Sequence, residues 1–209
     1  GYQGYIQCDG YTVYDKIGED PDITLAGCLV HTPRKFIDAQ DNDNVRAEKA
    51  LALFRDIYIQ ERAIKEEAAG DADLRKELRL KKVHPLLQQI KEWIQEDQFK
   101  VLPKSAIGKA MTYFLNQYPK FKVIFEDGRI ELDNNLIENA IRPLALGRKN
   151  FLFAGSHKAA QHAAMLYSFF GSCKMHGINP QEWLTDTLQR IPDHSIQKLE
   201  ELLPGYQKA

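Results

Sequence analysis

From about Asn44 to Tyr118 the apolar residues of this chain recur at helical spacing, and short strand-like runs flank that block on both sides. Leu51, Phe54, Ile57 and Tyr58 form one such series, and Leu86, Leu87, Ile90, Trp93 and Ile94 form another. Pro85 lacks a backbone N–H and is expected to divide the helices there. Any sheet must therefore be assembled from the flanks, with a helical block inserted between its parts. Between Ile37 and Leu102 there are 14 acids and 12 bases, the pattern of a solvated helical hairpin that packs or mediates interactions.

The flanks carry the strand signals. "GYIQCDGYTVYDKI" opens with a short extended run that breaks at Asp9-Gly10 and continues into a helical turn. "DITLAGCLVHTPRKFIDA" supplies a second apolar run over 23–31, and Thr32-Pro33 fits a helix N-cap followed by a first helical position. Strand, helix, strand, helix implies a parallel pair joined by a right-handed crossover. Beyond the helical block, Val123-Ile124-Phe125 and Ile130-Glu131-Leu132 around Asp127-Gly128 read as a β-hairpin. "DNNLIENAI" then starts a helix that Pro143 should end quickly, and "NFLFAG" reads as a strand or extended segment. A small-residue-rich helix is expected from about His157 to His176. Another starts at Asn179-Pro180, with Trp183, Leu184, Leu188 and Ile191 facing inward.

Composition excludes some classes. With 209 residues, 44% hydrophobic and 27% charged, the chain suits a soluble globular protein with one substantial core or two small ones. No apolar run approaches the roughly 20 residues that span a bilayer, and no export signal opens the chain. Cys8, Cys28 and Cys173 are odd in number and far apart, which points to reduced thiols in a cytoplasm. Cys28 and His31 have a ligand-like spacing, but no second Cys/His pair completes a zinc site.

The net charge of -1 conceals an asymmetry. The 43 residues from Asn139 to Gln181 contain no Asp or Glu but hold five Lys/Arg and three His, including Arg142, Arg148, Lys149, His157 and Lys158. Such a segment raises the local concentration of phosphate ligands and gives salt-dependent affinity for nucleic acid. The plainer reading is a solvated face whose negative partners lie elsewhere in the fold. Glu138, just ahead of this segment, also has two readings. Three residues after Asn135 it has the spacing of a capping box, reaching back to a backbone N–H, or it is a metal ligand beside a polyanion.

Five blocks together resemble one family. "GYIQCDGYTVYDKI", "GCLVHTPRKF", "PKSAIGKAMTYFLNQ", "DGRIELDNNLIENAIRPLALGRKNFLFAGSHKAAQHAAMLYSF" and "HGINPQEWLTDTLQRIP" are similar, in order and over nearly the whole chain, to the insertion-sequence-66-type bacterial transposases. The resemblance implies a ribonuclease-H-like DDE enzyme, in which two Asp and one Glu hold two divalent ions, Mg2+ or Mn2+, and a helical insertion separates the second Asp from the Glu. It makes Asp9 the second acid and Glu138 the last. The implied fold is α/β, with a partial ribonuclease-H-like core from residues 1–36 and 123–155, an all-helical insertion over 37–122 and a helical C-terminal region over 156–209. The implied function is metal-dependent cleavage and strand transfer of double-stranded DNA, in a bacterial cytoplasm close to the nucleoid, with a homo-oligomer as a further expectation and no membrane. Hard divalent ions favour carboxylate oxygen, so an acidic triad suffices without Cys or His.

Departures from the family pattern accompany the match. The first catalytic Asp of the family lies on an earlier strand, within an Asp-Glu-Thr-like block that has no counterpart here, and a strand around Ile6 to Cys8 would then lack a neighbour. Pro33 stands where the family often has an arginine, while His31, Arg34 and Lys35 remain as phosphate-contact candidates or as a strand-end histidine and two solvated cations. The alternative function is a truncated, catalytically inactive remnant that keeps DNA-binding or subunit-binding surfaces.

Overall fold

The computed structural model describes residues 1–206, which form two compact units, Gly1–Asn134 and the remainder from Asn135. In the first unit β1 (Gly4–Cys8) and β2 (Ile23–Gly27) pair in parallel, from Gly4 opposite Ile23 to Cys8 opposite Gly27. Between them lies the short helix α1 (Val13–Ile17), and α2 (His31–Ile37) follows β2. The expected strand, helix, strand, helix order is present. The second apolar run stops being a strand at Gly27, however, and α2 takes in His31 and Thr32, so Thr32 is a buried residue inside the helix and not its cap.

The helical block forms as its spacing predicts. It comprises α3 (Asn44–Ala68), α4 (Ala72–Lys82), α5 (His84–Asp97) and α6 (Ala106–Phe121), with α4 and α5 parting just before Pro85. Asp43, Asp71 and Ser105 cap three of these helices by accepting backbone N–H bonds from the first turn, satisfying donors that a helix start leaves open. On α3, Ala47, Ala50, Phe54, Ile57, Glu61, Ile64 and Ala68 are buried, a stripe at alternating three- and four-residue spacing. Phe36 of α2, Phe54 of α3, and Phe114 and Phe121 of α6 meet within one core that also contains Ala26 of β2 and Ile90 and Ile94 of α5.

The stripe on α3 contains one charge, Glu61, and α4 places a fully buried arginine, Arg79, against it. Arg79 donates to both Glu61 oxygens at 2.9 and 2.6 Å, and Arg75 donates to Glu61 and to Glu131. Arg79 also donates to the carbonyls of Ile124 and Ile130 at 3.3 and 2.7 Å.

Those last bonds explain a correction. No β-hairpin forms at 123–132: Lys122–Phe125 is a 3-10 turn, and the residues that follow are irregular. The hairpin expectation assumed that these backbone groups pair with each other. Instead, Arg79 takes two of the carbonyls, Leu29 donates its N–H to the Leu132 carbonyl at 2.8 Å, and the Gln7 side chain donates to the Glu131 carbonyl at 2.7 Å. Gly128 serves a close approach, since a Cβ there would stand 1.9 Å from the Ala72 carbonyl oxygen at the start of α4.

The second unit contains α7 (Asn135–Phe151), α8 (His157–Met175) and α9 (Pro180–Arg190). The last two match expectation, and Ser156 and Asn179 cap them through their side chains. Of the residues expected to face inward on α9, Trp183 and Leu184 are half-buried, but Leu188 and Ile191 are exposed. Two further expectations fail. Pro143 lies inside α7 without ending it, because a proline removes one helical hydrogen bond and Leu144, Ala145 and Leu146 continue the helix well. "NFLFAG" is not a strand: α7 runs through Phe151, and the chain leaves the helix at Leu152, whose φ of 60° is in the left-handed region.

The described chain is thus mixed α/β and dominated by helix, with one two-stranded parallel sheet among the described residues. No helix among them is long and apolar enough to cross a membrane, and none of the three cysteines forms a disulfide.

Candidate functional site

The parallel pair decides where Asp9 stands. The ladder ends at Cys8 and Gly27, Cys28 adds one more bond to the Cys8 carbonyl at 3.0 Å, and Asp9 emerges at the carboxyl end of β1. β2 ends at the same edge and leads within a few residues into α2. Asp9 therefore shares with His31, Arg34 and Lys35 an open cavity of about 300 Å³, also lined by Gly10, Tyr11, Asp38 and Tyr113. Carboxyl edges of parallel strands are a common place for sites, because the loops that follow the strands converge there.

Within this cavity Asp9 is half-buried. One of its oxygens accepts the Tyr11 backbone N–H at 3.0 Å, which fixes the carboxylate through a local turn, and the other makes no hydrogen bond among the described residues. Arg34 and Lys35 are exposed, and the Lys35 ammonium lies 4.5 Å from the centre of the Tyr113 ring. Tyr113 comes from α6 of the helical block. Burial chiefly, and then the charges of Cys28, Asp9 and Cys8, push its phenol up to about 12, so it stays a neutral donor. Burial likewise pushes the Cys8 thiol up, consistent with a packing role.

Glu138 and the expected DNA contacts belong to the second unit. Asn135 is the first residue of α7, not its cap, which shifts Glu138 one position beyond a capping-box partner while keeping it in the first turn. Continuity of α7 through Pro143 has a further consequence. At about 100° per residue, Arg142 and Lys149 fall within roughly 40° of Glu138 around the helix axis, and Arg148 lies to one side of them. His157 and Lys158 open α8. Arg142, Arg148, Lys149, His157 and Lys158 are all exposed, and none of the four cations among them has an ion-pair partner among the described residues.

The structure thus brings Asp9, His31, Arg34 and Lys35 to one cavity, and aligns Glu138, Arg142 and Lys149 on one helix. Sequence reasoning missed Tyr113. It lies in the "PKSAIGKAMTYFLNQ" block but off the buried stripe of α6, so helical periodicity gave no signal for it.

Comparison with known proteins gives this geometry its context. The model of the Transposase IS66 family matches residues 1–162, and that of the IS66 C-terminal element matches residues 168–204. The chain belongs to the IS66 transposase family. Among curated relatives, the uncharacterized protein y4qI of Sinorhizobium fredii is 34% identical over 98% of this chain and 39% of its own length. The uncharacterized proteins y4hP and y4jD of the same organism are 33% and 32% identical, over 98% and 100% of this chain and 40% and 42% of theirs. The IS66-family chain described here therefore spans about 40% of the length of these relatives. No solved structure matches it.

Proposed function

We propose that this chain forms part of the metal-dependent catalytic region of a DNA transposase, which cuts DNA at transposon ends and joins the freed 3′-hydroxyl to target DNA. The observation that carries the proposal is the Asp9 cavity. In a chain of the IS66 transposase family, a carboxylate with one oxygen not hydrogen-bonded stands at the carboxyl edge of two parallel strands, beside His31, Arg34 and Lys35.

Asp9 and Glu138 are the residues that would hold Mg2+ or Mn2+ in a ribonuclease-H-like catalytic plan. The Asp9 side of such a site fits a hard ion, since it offers a fixed carboxylate in an open cavity with room for the waters such ions retain. Divalent ions held there would activate the attacking water or 3′-hydroxyl, neutralise the phosphate and stabilise the leaving 3′-oxygen. The chain's own residues supply the rest. Arg34 and Lys35 hold the phosphodiester near Asp9. Arg142 and Lys149, on the Glu138 face of α7, hold the duplex backbone together with Arg148, His157 and Lys158, and such phosphate contacts position DNA without reading its sequence. The DNA substrate, a cytoplasmic and nucleoid-associated location and a homo-oligomeric state belong to the same proposal.

The test separates the two readings of Glu138. Glu138→Gln keeps the side-chain length and the capacity to serve a helix start, but removes the charge that holds a divalent ion. In the whole protein, cleavage of a transposon-end duplex by this variant falls to background. Cleavage at a near-normal rate would return Glu138 to a structural role.

A further inference from the structure

Tyr113 enters the Asp9 cavity from a helix that is otherwise committed to the core. Ala110, Met111, Phe114, Tyr118 and Phe121 are the buried side of α6, so the ring is carried on a firmly anchored element. Three observations distinguish it from an ordinary half-buried aromatic. Its hydroxyl, within a polar cavity shared with Asp9, Arg34 and Lys35, makes no hydrogen bond among the described residues. The residue after Asp9 is glycine, and a Cβ at Gly10 would stand 2.5 Å from that hydroxyl, so the backbone beside the carboxylate leaves room for the phenol. The ring also lies 4.5 Å from the Lys35 ammonium, which limits where that flexible cation can go.

We propose that Tyr113 is a phosphate-positioning residue supplied to the cavity by the helical insertion: its hydroxyl donates a hydrogen bond to a non-bridging phosphate oxygen of the DNA strand beside Asp9, and its ring aims Lys35 at the same phosphate. The inference rests on the transposase reading of this cavity and gives the inserted helices a part in it. A neutral phenol next to two cations adds direction where the cations add charge. It releases no counterion from DNA, and this separates its signature from theirs.

The test uses the 209-residue chain and a fluorescently labelled duplex of arbitrary sequence, with affinity read by anisotropy over a salt series. Tyr113→Phe keeps the ring and its contact with Lys35 and removes only the hydroxyl. It should weaken binding roughly tenfold, as loss of a hydrogen bond to a charged group does, with an unchanged salt slope and an unchanged melting temperature. Lys35→Gln should weaken binding and also lower the slope by about 0.9, the loss of one phosphate contact. Wild-type affinity in Tyr113→Phe overturns the inference and leaves Tyr113 as a packing residue under Gly10. Failure of the unmodified chain to bind duplex at low salt overturns instead the transposase reading on which the inference stands.

Discussion

Residues Gly1–Asn134 and the described residues that follow them are both mostly helical, to different ends. In the first unit Phe36, Phe54, Phe114, Phe121 and six isoleucines or leucines are almost completely excluded from water, and a charged pair, Glu61 and Arg79, is buried with them. Among the described residues of the second, only Cys173 and Leu202 are buried. Helix α7 exposes Leu136, Ile137, Ile141 and Leu146 along with its arginines and lysine, and a groove of about 470 Å³ lined largely by apolar side chains, among them Leu136, Pro143, Tyr167 and Phe170, opens within the same unit. Burial is what offsets the entropy of ordering a chain, so the first unit carries its own stability and the second gains little from its own packing. What the second unit has is surface, with exposed cations and apolar side chains along α7.

The largest effect should come from the buried pair. Glu61→Gln leaves the Arg79 guanidinium in the core without its counter-charge, and should cost about 3–5 kcal/mol in urea unfolding followed by circular dichroism. A loss below about 1 kcal/mol would mean that the first unit does not depend on this pair, and the contrast between the units would weaken.

Acid should act on the same unit, less strongly. Burial alone would raise the Glu131 carboxyl, but bonds from Arg75 and Lys65 outweigh it and hold the group down, from an ordinary 4.5 to about 2. A depressed carboxyl contributes stability that is complete above its unfolded value and lost as pH falls through its folded one. The unfolding free energy should therefore drop between about pH 4.5 and 2, by at most about 2 kcal/mol after allowance for partial exposure, and Glu131→Gln should flatten that drop. The same slope in both proteins would remove Glu131 from the account.

The smallest effect should come from α7. Ile141 is 53% exposed, so Ile141→Ala should change unfolding of the isolated chain by no more than about 0.5 kcal/mol. A loss of 2 kcal/mol or more would show that the second unit packs as the first does.

What could be read from the sequence follows the range of the interactions involved. The helix start at Asn179-Pro180, the break before Pro85 and the order of strand and helix in the first 37 residues have local signals. The absent hairpin at 123–132 was not legible, since Arg79 competes for its carbonyls from far along the chain. One trace existed: Glu61 occupies a core position between Ile57 and Ile64, and a charge in such a stripe calls for a buried partner. Arg34 and Lys35 lie on α2, a few residues beyond β2, whereas Tyr113 reaches the Asp9 cavity only through tertiary packing of α6.

The proposal most open to test is that Asp9 and Glu138 hold divalent metal in common. Manganese is the direct probe, because a bound Mn2+ broadens the NMR signals of nuclei near it. In the isotopically labelled 209-residue chain, Mn2+ should broaden the amide resonances of Gly10 and Asn139 together, and Asp9→Asn should abolish both effects at the same Mn2+ concentration. Broadening at Gly10 that leaves Asn139 sharp, or broadening at Asn139 that survives Asp9→Asn, would contradict a shared site.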